Sequence, residues 1–480
     1  MFEGRKKELE ALERRFRSNA FECFVLYGHR RVGKTTLIKE FVKNRPCIYV
    51  TGLVDGYAAN LQNLSRSIRY ALGENPDDAF SSYQEAFEHV FLNSQDRRLI
   101  MVVDDYPNVA KTDISFPSTL QLLIDRHQEN SKLMLILCGS PIDYMFDEVL
   151  AYRAPLYGRR TGQLRIGPID FFDSRALLGT EDPVHQALIY GAVGGMPLYL
   201  QKLSGPEPLK DKFESTWFSL GSFFLDAPIN FLKQEVRSPA LYFDVLKALA
   251  EGASKLNDIS QKTNMKNHSV LRALDLLISL GIVENKHPYN ESSGPRGIYR
   301  ISDNMYRFWF EILNPNAALI LNNGGDIIWD RIQPLLPNYM GSVFEDICKH
   351  YLKRQLVQGK LPLIFSSIGR WWGNDPLNKT EVEIDLVAEQ DRDNAIFAEC
   401  KWTNEKVDAK VLEKLDDLSR RLFHYQNRHL YIFSKSGFTD GCVERAKSFP
   451  SVHLPTLSRP FVAFEDCCRD VVNTPQKYKV

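Results

Sequence analysis

The sequence has no excess of either charge, with 60 lysines and arginines against 60 aspartates and glutamates over 480 residues. That balance removes any global field drawing the chain to nucleic acid or an anionic membrane, and leaves such contacts to local patches. Apolar runs are short, and none approaches the roughly eighteen residues of a membrane span. The opening Met1-Phe2-Glu3-Gly4-Arg5-Lys6-Lys7-Glu8 lacks the apolar stretch of a secretory signal. Cysteine is sparse: eight positions are scattered, none in a C-x-x-C pair. Cys467 and Cys468 are neighbours with no histidine or further cysteine nearby, a poor zinc site. Cys23, Cys138 and Cys400 lie in or beside strand-like runs and read as small core residues. A disulfide scaffold is excluded, and a reducing cytoplasm without membrane association is the expected setting. The remaining composition, 44% hydrophobic and 25% charged, is that of a globular protein too long for one core. Roughly three domains are expected.

The most informative stretch is Gly28-His29-Arg30-Arg31-Val32-Gly33-Lys34-Thr35, a G-x-x-x-x-G-K-T loop. The apolar run Phe24-Val25-Leu26-Tyr27 before it reads as a buried strand. After it, Leu37, Ile38, Phe41 and Val42 recur at helical spacing. Strand, glycine loop and helix N-terminus together aim backbone N–H groups and a partial positive charge at phosphate oxygens. Lys34 is placed to reach the β- and γ-phosphates and Thr35 to ligate Mg²⁺, so ATP with Mg²⁺ is the expected cofactor pair. Arg30, Arg31, Gly28, Gly33 and Thr36 complete the candidate binding loop.

Cys47–Thr51 reads as a second strand, followed by helical stretches over 57–73 and 80–93. Leu99-Ile100-Met101-Val102-Val103 then ends in Asp104-Asp105, an apolar strand delivering two carboxylates at its C-terminal end. In this Walker B pattern Asp104 holds Mg²⁺ through water and Asp105 orients or deprotonates the attacking water. The strand Leu133–Cys138 ends in Gly139-Ser140, where Ser140 reads equally as a γ-phosphate sensor or as a plain turn residue. Arg153, Arg159 and Arg160 are candidates for an arginine finger reaching a neighbouring subunit, which would make the protein a homo-oligomer.

Two further patterns carry a resemblance. Gly4-Arg5-Lys6-Lys7-Glu8-Leu9 before the phosphate loop resembles the segment lining the adenine pocket in AAA+ ATPases and their STAND relatives. Gly195-Met196-Pro197 resembles the STAND motif whose proline packs on the adenine, although Gly-Gly-x-Pro also reads as a helix cap and a new helix start. Residues 1–210 thus resemble the ATPase domain of the archaeal-type ATPase family, with adenine-lid helices. Gly4, Arg5 and Pro197 enter the nucleotide set on this resemblance.

In the middle, an amphipathic helix over Tyr242–Glu251, a short helix over Leu256–Lys262 and a third capped by Ser269 precede a ribbon of Ile282–Glu284 with Gly297–Ile301. This is a winged-helix pattern, whose third helix would be the recognition helix. Lys266, Asn267, His268, Ser269 and Arg272 are placed to face double-stranded DNA, with Lys286, His287 and Arg296 on the wing. In STAND proteins such a module also serves as a regulatory element without DNA. Tyr306-Arg307-Phe308-Trp309-Phe310 reads as a buried packing helix.

The last third carries Glu345 on a helix, a strand Val382–Ala388 and a strand Ala395–Trp402. Alternation puts Ile384, Leu386 and Ala388 on one face and Glu383 and Asp385 on the other, with Glu399 and Lys401 opposite Ile396, Ala398 and Cys400. Glu345, Asp385 and Glu399 would hold Mg²⁺ and Lys401 would stabilise charge on water or phosphate. Cross-strand pairing of acid with lysine is the structural alternative. Asp385 followed by Glu399-Cys400-Lys401 resembles the restriction-endonuclease-like superfamily, with Ile384 where that pattern has proline. Lys406, Lys410 and Lys414 fall at one helical spacing over 406–423 and read as a solvated face or a phosphate contact.

The expected fold class is therefore α/β, with a P-loop AAA+-like ATPase domain over 1–210, a winged-helix domain with a helical linker over 211–335, and a restriction-endonuclease-like α/β domain over 336–480. Two functions remain open. One is an ATP-hydrolysing switch that gates a Mg²⁺-dependent DNA nuclease. The other is a nucleotide-gated DNA-binding or signalling regulator whose nuclease-like domain does no chemistry.

Overall fold

A computed structural model describes residues 4–457 apart from 141, 237, 292, 295, 323, 324 and 450. By its internal contacts the chain divides into two compact units, Met1–Ile169 with Met196–Leu198, and Asp170–Gly195 with Tyr199–Val480.

The first unit is a five-stranded parallel sheet: β1 (Glu22–Tyr27), β2 (Cys47–Thr51), β3 (Leu99–Asp104), β4 (Leu133–Gly139) and β5 (Gly162–Arg165), in the order β2-β3-β4-β1-β5. β3 and β4 are buried at every position and β1 at all but its last. The reason lies in the topology, since parallel crossovers place helices over both faces and leave polar residues only at strand ends. The helices Tyr83–Asn93 and Phe116–His127 supply Phe87, Phe91, Phe116 and Leu120 to the core over this sheet. Each such side chain removed from water contributes about 1.5–3 kcal/mol. Ser82 caps the first of them by accepting from the Glu85 N–H at 3.2 Å. β4 lies between β1 and β3, so the loop after β1 and the acids after β3 come out at the same sheet edge, one strand apart.

The second unit opens with the short helix Phe171–Ser174, followed by the helix Pro183–Val193, capped by Asp182. Helices Pro239–Ala250, Leu256–Thr263 and Asn267–Ser279 then precede an antiparallel ribbon of β6 (Val283–Lys286) and β7 (Ile298–Ile301). The third helix starts two residues before Ser269, with Lys266 at its N-cap position, so Ser269 is a first-turn residue rather than the cap. Met305, Tyr306, Phe308, Trp309 and Phe310 are buried, as the aromatic cluster implied.

A second sheet follows the long helix Leu336–Val357: β8 (Gly369–Asp375), β9 (Thr380–Glu389), β10 (Asn394–Lys401), β11 (Asn427–Ser434) and β12 (Val452–His453), ordered β12-β11-β10-β9-β8. β8, β9 and β10 are antiparallel, whereas β11 and β12 run parallel to β10. Two expectations are corrected here. A shift of register opposite Gly369–Trp371 breaks the alternation of β9, so Ile384 packs in one core with Val387 and Phe397 rather than with Leu386 and Ala388. Both faces of β10 are buried from Ala395 to Ala398, whereas Glu399 and Lys401 are half-buried on either side of buried Cys400. Finally, Asp408 caps the helix Ala409–Leu422, accepting from the Lys410 N–H at 3.0 Å, which leaves Lys406 outside the helix.

The ribbon's connecting loop is anchored in this sheet. Tyr289 donates its backbone N–H to the Arg370 carbonyl at 2.8 Å, and Arg296 donates to the Trp372 carbonyl at 3.3 Å. The Tyr289 ring joins the core of Ile384, Val387 and Phe397.

Candidate functional site

The phosphate loop is shaped by two glycines. A Cβ at Gly28 would collide with the Ile166 carbonyl oxygen, so only glycine lets β1 and the segment after β5 approach so closely. Gly33 sits at φ 91°, a left-handed conformation, immediately before the helix Lys34–Val42. Arg31 also takes a left-handed backbone, φ 68°, and Arg30 and Thr36 are exposed beside it. Lys34 is 6% exposed and donates its Nζ protons to the Gly28 carbonyl at 2.9 Å and the His29 carbonyl at 2.8 Å. Burial lowers its pKa, against the pull of Cys138, Asp104 and Asp105. His29 in the loop is held at about 4 by burial and by Arg165 and Lys34, so its ring stays neutral.

The acids after β3 come to this loop. Thr35 donates its hydroxyl to Asp104 Oδ2 at 2.8 Å, joining loop and acid across 69 residues. The same oxygen accepts the Tyr49 hydroxyl at 2.6 Å, and Asp104 Oδ1 accepts the Asp105 N–H at 3.1 Å. Asp105 has φ 51°, and burial, then Asp104, raises its pKa. A Cβ at Gly52 would sit 2.5 Å from the Asp105 carbonyl oxygen, so that glycine gives the acid its space. Ser140 is half-buried at the end of β4.

The resemblance-based residues take clear positions. Gly4 is left-handed at φ 76°. Arg5 is 6% exposed and donates to the Val32 carbonyl at 2.9 Å and the Gly167 carbonyl at 2.5 Å, with Glu8 at 3.0 Å. Its guanidinium braces the phosphate loop from behind. A Cβ on Gly33 would lie 3.6 Å from Pro197 Cγ, so the proline ring stands over the end of the loop. Arg159 is paired with Asp125 at 3.0 Å, and Arg160 donates to the Leu150 carbonyl at 2.7 Å. Arg153 is exposed.

In the second unit, Asp385 is 7% exposed, and its Oδ2 accepts the Cys400 N–H at 2.8 Å. Burial, then Glu399 and Glu345, pushes its pKa up to about 7. Glu399 accepts from Lys401 Nζ at 2.5 Å. Burial opposes the charge on Lys401, but Glu399 and Asp385 outweigh it and raise the pKa. Glu345 is 3.8 Å from Arg370, whose other nitrogen donates to Glu383 at 2.6 Å. Burial raises Glu345, with Arg370 and Lys286 pulling the other way. The structure thus gathers Glu345, Asp385, Glu399 and Lys401, and adds Arg370, which the sequence had not singled out. Among the described residues, no three His, Cys, Asp or Glu side chains are grouped closely enough to hold a metal ion.

Two cations of the ribbon strands, Lys286 and Arg300, are paired with acids. Arg300 pairs with Glu284 and, at 3.3 Å, with Asp346, while Lys286 lies 3.7 Å from Glu284. Arg296 is paired with Glu291. Exposed basic residues of this region include Lys266, His268 and Arg272 on the helix Asn267–Ser279 and the residue before it, together with Arg296 in the wing loop.

A parallel sheet with β4 between the phosphate-loop strand and the acid-bearing strand, closed by Thr35 on Asp104, defines the class: a P-loop ATPase domain. Residues 2–203 match the family described as an ATPase domain predominantly from Archaea, and residues 309–412 match one described as archaeal and bacterial proteins of unknown function. A protein of Methanocaldococcus jannaschii, described as uncharacterized, is 35% identical over 424 residues, spanning 88% of this chain and 92% of its own. The chain belongs to this family of archaeal-type ATPases. An uncharacterized ATP-binding protein of the same organism is 56% identical over 45 residues, 9% of this chain and 76% of its own. Among solved structures, a Walker-type ATPase of Pyrococcus abyssi has a TM-score of 0.47 at 18% identity, covering 64% of this chain and 95% of its own. The ORC2 protein of Aeropyrum pernix has a TM-score of 0.45 at 17% identity, covering 68% and 95%. Among the described residues, no helix is long and apolar enough to cross a membrane.

Proposed function

We propose that the protein is an ATP-hydrolysing switch whose nucleotide state gates a nucleic-acid-directed C-terminal domain, in a three-part division of 1–210, 211–335 and 336–480. The observation that carries this reading is the 2.8 Å hydrogen bond from Thr35 to Asp104, which unites the phosphate loop and the acidic strand end in one site. Lys34 neutralises phosphate charge and Asp105 orients or accepts a proton from the attacking water. The Thr35 hydroxyl and the Asp104 carboxylate are hard oxygen donors and fit Mg²⁺, which would supply charge neutralisation at the β- and γ-phosphates. Arg30, Arg31, Thr36, Ser140, Gly4, Arg5 and Pro197 frame the nucleotide. Exposed Arg153 is the arginine that this reading offers to a neighbouring subunit of a cytoplasmic homo-oligomer.

For the C-terminal domain, Asp385 and Glu399, with Glu345 beside them, are the acids that would hold a metal for phosphodiester cleavage, and Lys401 would stabilise the attacking water. Burial, and after it repulsion from Glu399 and Glu345, lifts Asp385 to about 7, and a bound cation would relieve the repulsive part. The exposed Lys266, Asn267, His268 and Arg272 supply the duplex DNA contact.

A second reading is favoured by a separate observation. Arg370 beside Glu345 at 3.8 Å and Lys401 on Glu399 at 2.5 Å already neutralise two of the three acids within the chain. On that reading the domain binds DNA or a signalling partner without cutting.

Supercoiled plasmid incubated with Mg²⁺ or Mn²⁺, with and without ATP, tests both. Cleavage lost in Asp385→Ala and altered in Lys34→Ala supports the gated nuclease. Intact ATP hydrolysis without cleavage under any condition leaves the regulator.

A further inference from the structure

We infer that Tyr49 is a positioning residue of the nucleotide site: by donating its phenol O–H to Asp104, it fixes the orientation in which that carboxylate meets the divalent cation of a bound nucleotide. The inference rests on the nucleotide-site reading above and adds a residue that the motifs do not contain.

The geometry follows from strand register. β2 runs parallel to β3, with Tyr49 opposite Val102 and Thr51 opposite Asp104. Side chains two apart share a face, so Tyr49 lies one step below the acid on the same face. A tyrosine is long enough to span that step, and its hydroxyl reaches Asp104 Oδ2 at 2.6 Å.

The donors on Asp104 divide the work. An ionised carboxylate offers about four acceptor sites and donates nothing. Oδ2 takes the Thr35 and Tyr49 hydroxyls, and Oδ1 takes the Asp105 N–H. Thr35 is itself a cation ligand on this reading, and Asp105 moves with the acid because it is the next residue. Cys138 also hydrogen-bonds Asp104 through its thiol, a weak donor, so Tyr49 is the strong donor that can hold the plane of the carboxylate without being a ligand.

The simpler role for Tyr49 is to fill space beside β3 as a β-forming aromatic residue. Tyr49→Phe separates the two, because it retains the ring and removes only the O–H. In the full-length protein, Mn²⁺ binding to the ADP complex is followed by electron paramagnetic resonance. ADP binding in EDTA is followed with a fluorescent ADP analogue, and ATP hydrolysis is titrated with Mg²⁺.

Removing a side chain that orients a metal ligand typically costs about 10–100-fold in metal affinity. Tyr49→Phe is expected to weaken Mn²⁺ binding about tenfold and to raise the half-saturating Mg²⁺ by a similar factor. The KM for ATP at saturating Mg²⁺ and ADP binding in EDTA should stay within about twofold, because a hydroxyl that acts only through Asp104 leaves phosphate contacts intact. Unchanged Mn²⁺ affinity would overturn the inference. So would an equal loss of ADP binding in EDTA, which would make Tyr49 a general support of the site. Lys34→Ala is assayed in parallel: if it retains full nucleotide binding and hydrolysis, the nucleotide-site reading itself is wrong, whatever Tyr49→Phe does.

Discussion

Removing the Arg5 side chain separates two roles for a residue whose motif implies contact with adenine. In the structure its guanidinium is 6% exposed and is spent on two backbone carbonyls, Val32 in the phosphate loop at 2.9 Å and Gly167 after β5 at 2.5 Å. Hydrogen bonds from a charged donor contribute about 1.5–3 kcal/mol each. The Glu8 pair, partly exposed, adds less than about 1 kcal/mol. Water entering the gap in Arg5→Ala returns part of this, so the expected loss is about 3 kcal/mol. For a unit of this size the apo melting transition should fall by roughly 6–12 °C. Calorimetry of the full-length protein without nucleotide reads that shift. Binding of ATP and of GTP should weaken by the same factor, since the brace holds the loop that contacts phosphates. An unchanged apo melting temperature, with a loss confined to ATP, would refute the bracing role and restore an adenine contact.

Two further substitutions test the second unit. Tyr289 lies in the loop between the ribbon strands, yet it packs in the sheet core and its hydroxyl accepts the Glu389 N–H at 3.1 Å. Tyr289→Ala should destabilise β8 and β9 by about 3–5 kcal/mol. Hydrogen exchange checks this, and unchanged protection of those strands would show that the loop is not anchored there. His453 is held at about 4 by burial and then by His429, below its ordinary 6.5. A histidine with a depressed folded pKa costs nothing above pH 6.5, and stability is lost as pH falls from there toward 4. The loss reaches roughly 2 kcal/mol by pH 4.5. In His453→Gln, urea midpoints should vary less between pH 7 and 4.5; an identical slope would remove His453 as the cause.

Much of the candidate nucleotide site was legible because its residues lie in local runs. Gly28 to Thr35 lie in one loop, and Asp104 and Asp105 end one apolar strand, so spacing alone carried them. Glu399 and Lys401 were legible for the same reason. Arg370 was not, because Trp371, Trp372 and Gly373 give β8 no alternation that would place an arginine beside Glu345. The pairing of the ribbon-strand cations was also hidden. Lys286 and Arg300 look like surface cations until Glu284 and Asp346 are brought against them.

By itself, the sequence determined the class of the first domain, the order of its chemical groups and the candidate acids of the last. Each of these depends on neighbours within a few residues, where backbone geometry leaves little choice. Tertiary structure decided everything that required two distant segments to meet. It set Tyr49 on Asp104 through the register of β2 and β3, turned Arg5 from a motif residue into a brace, and anchored the Tyr289 loop in the second sheet. Those contacts depend on which strands pair and at what offset, and that offset is chosen by burial across the whole unit rather than by any local run of residues.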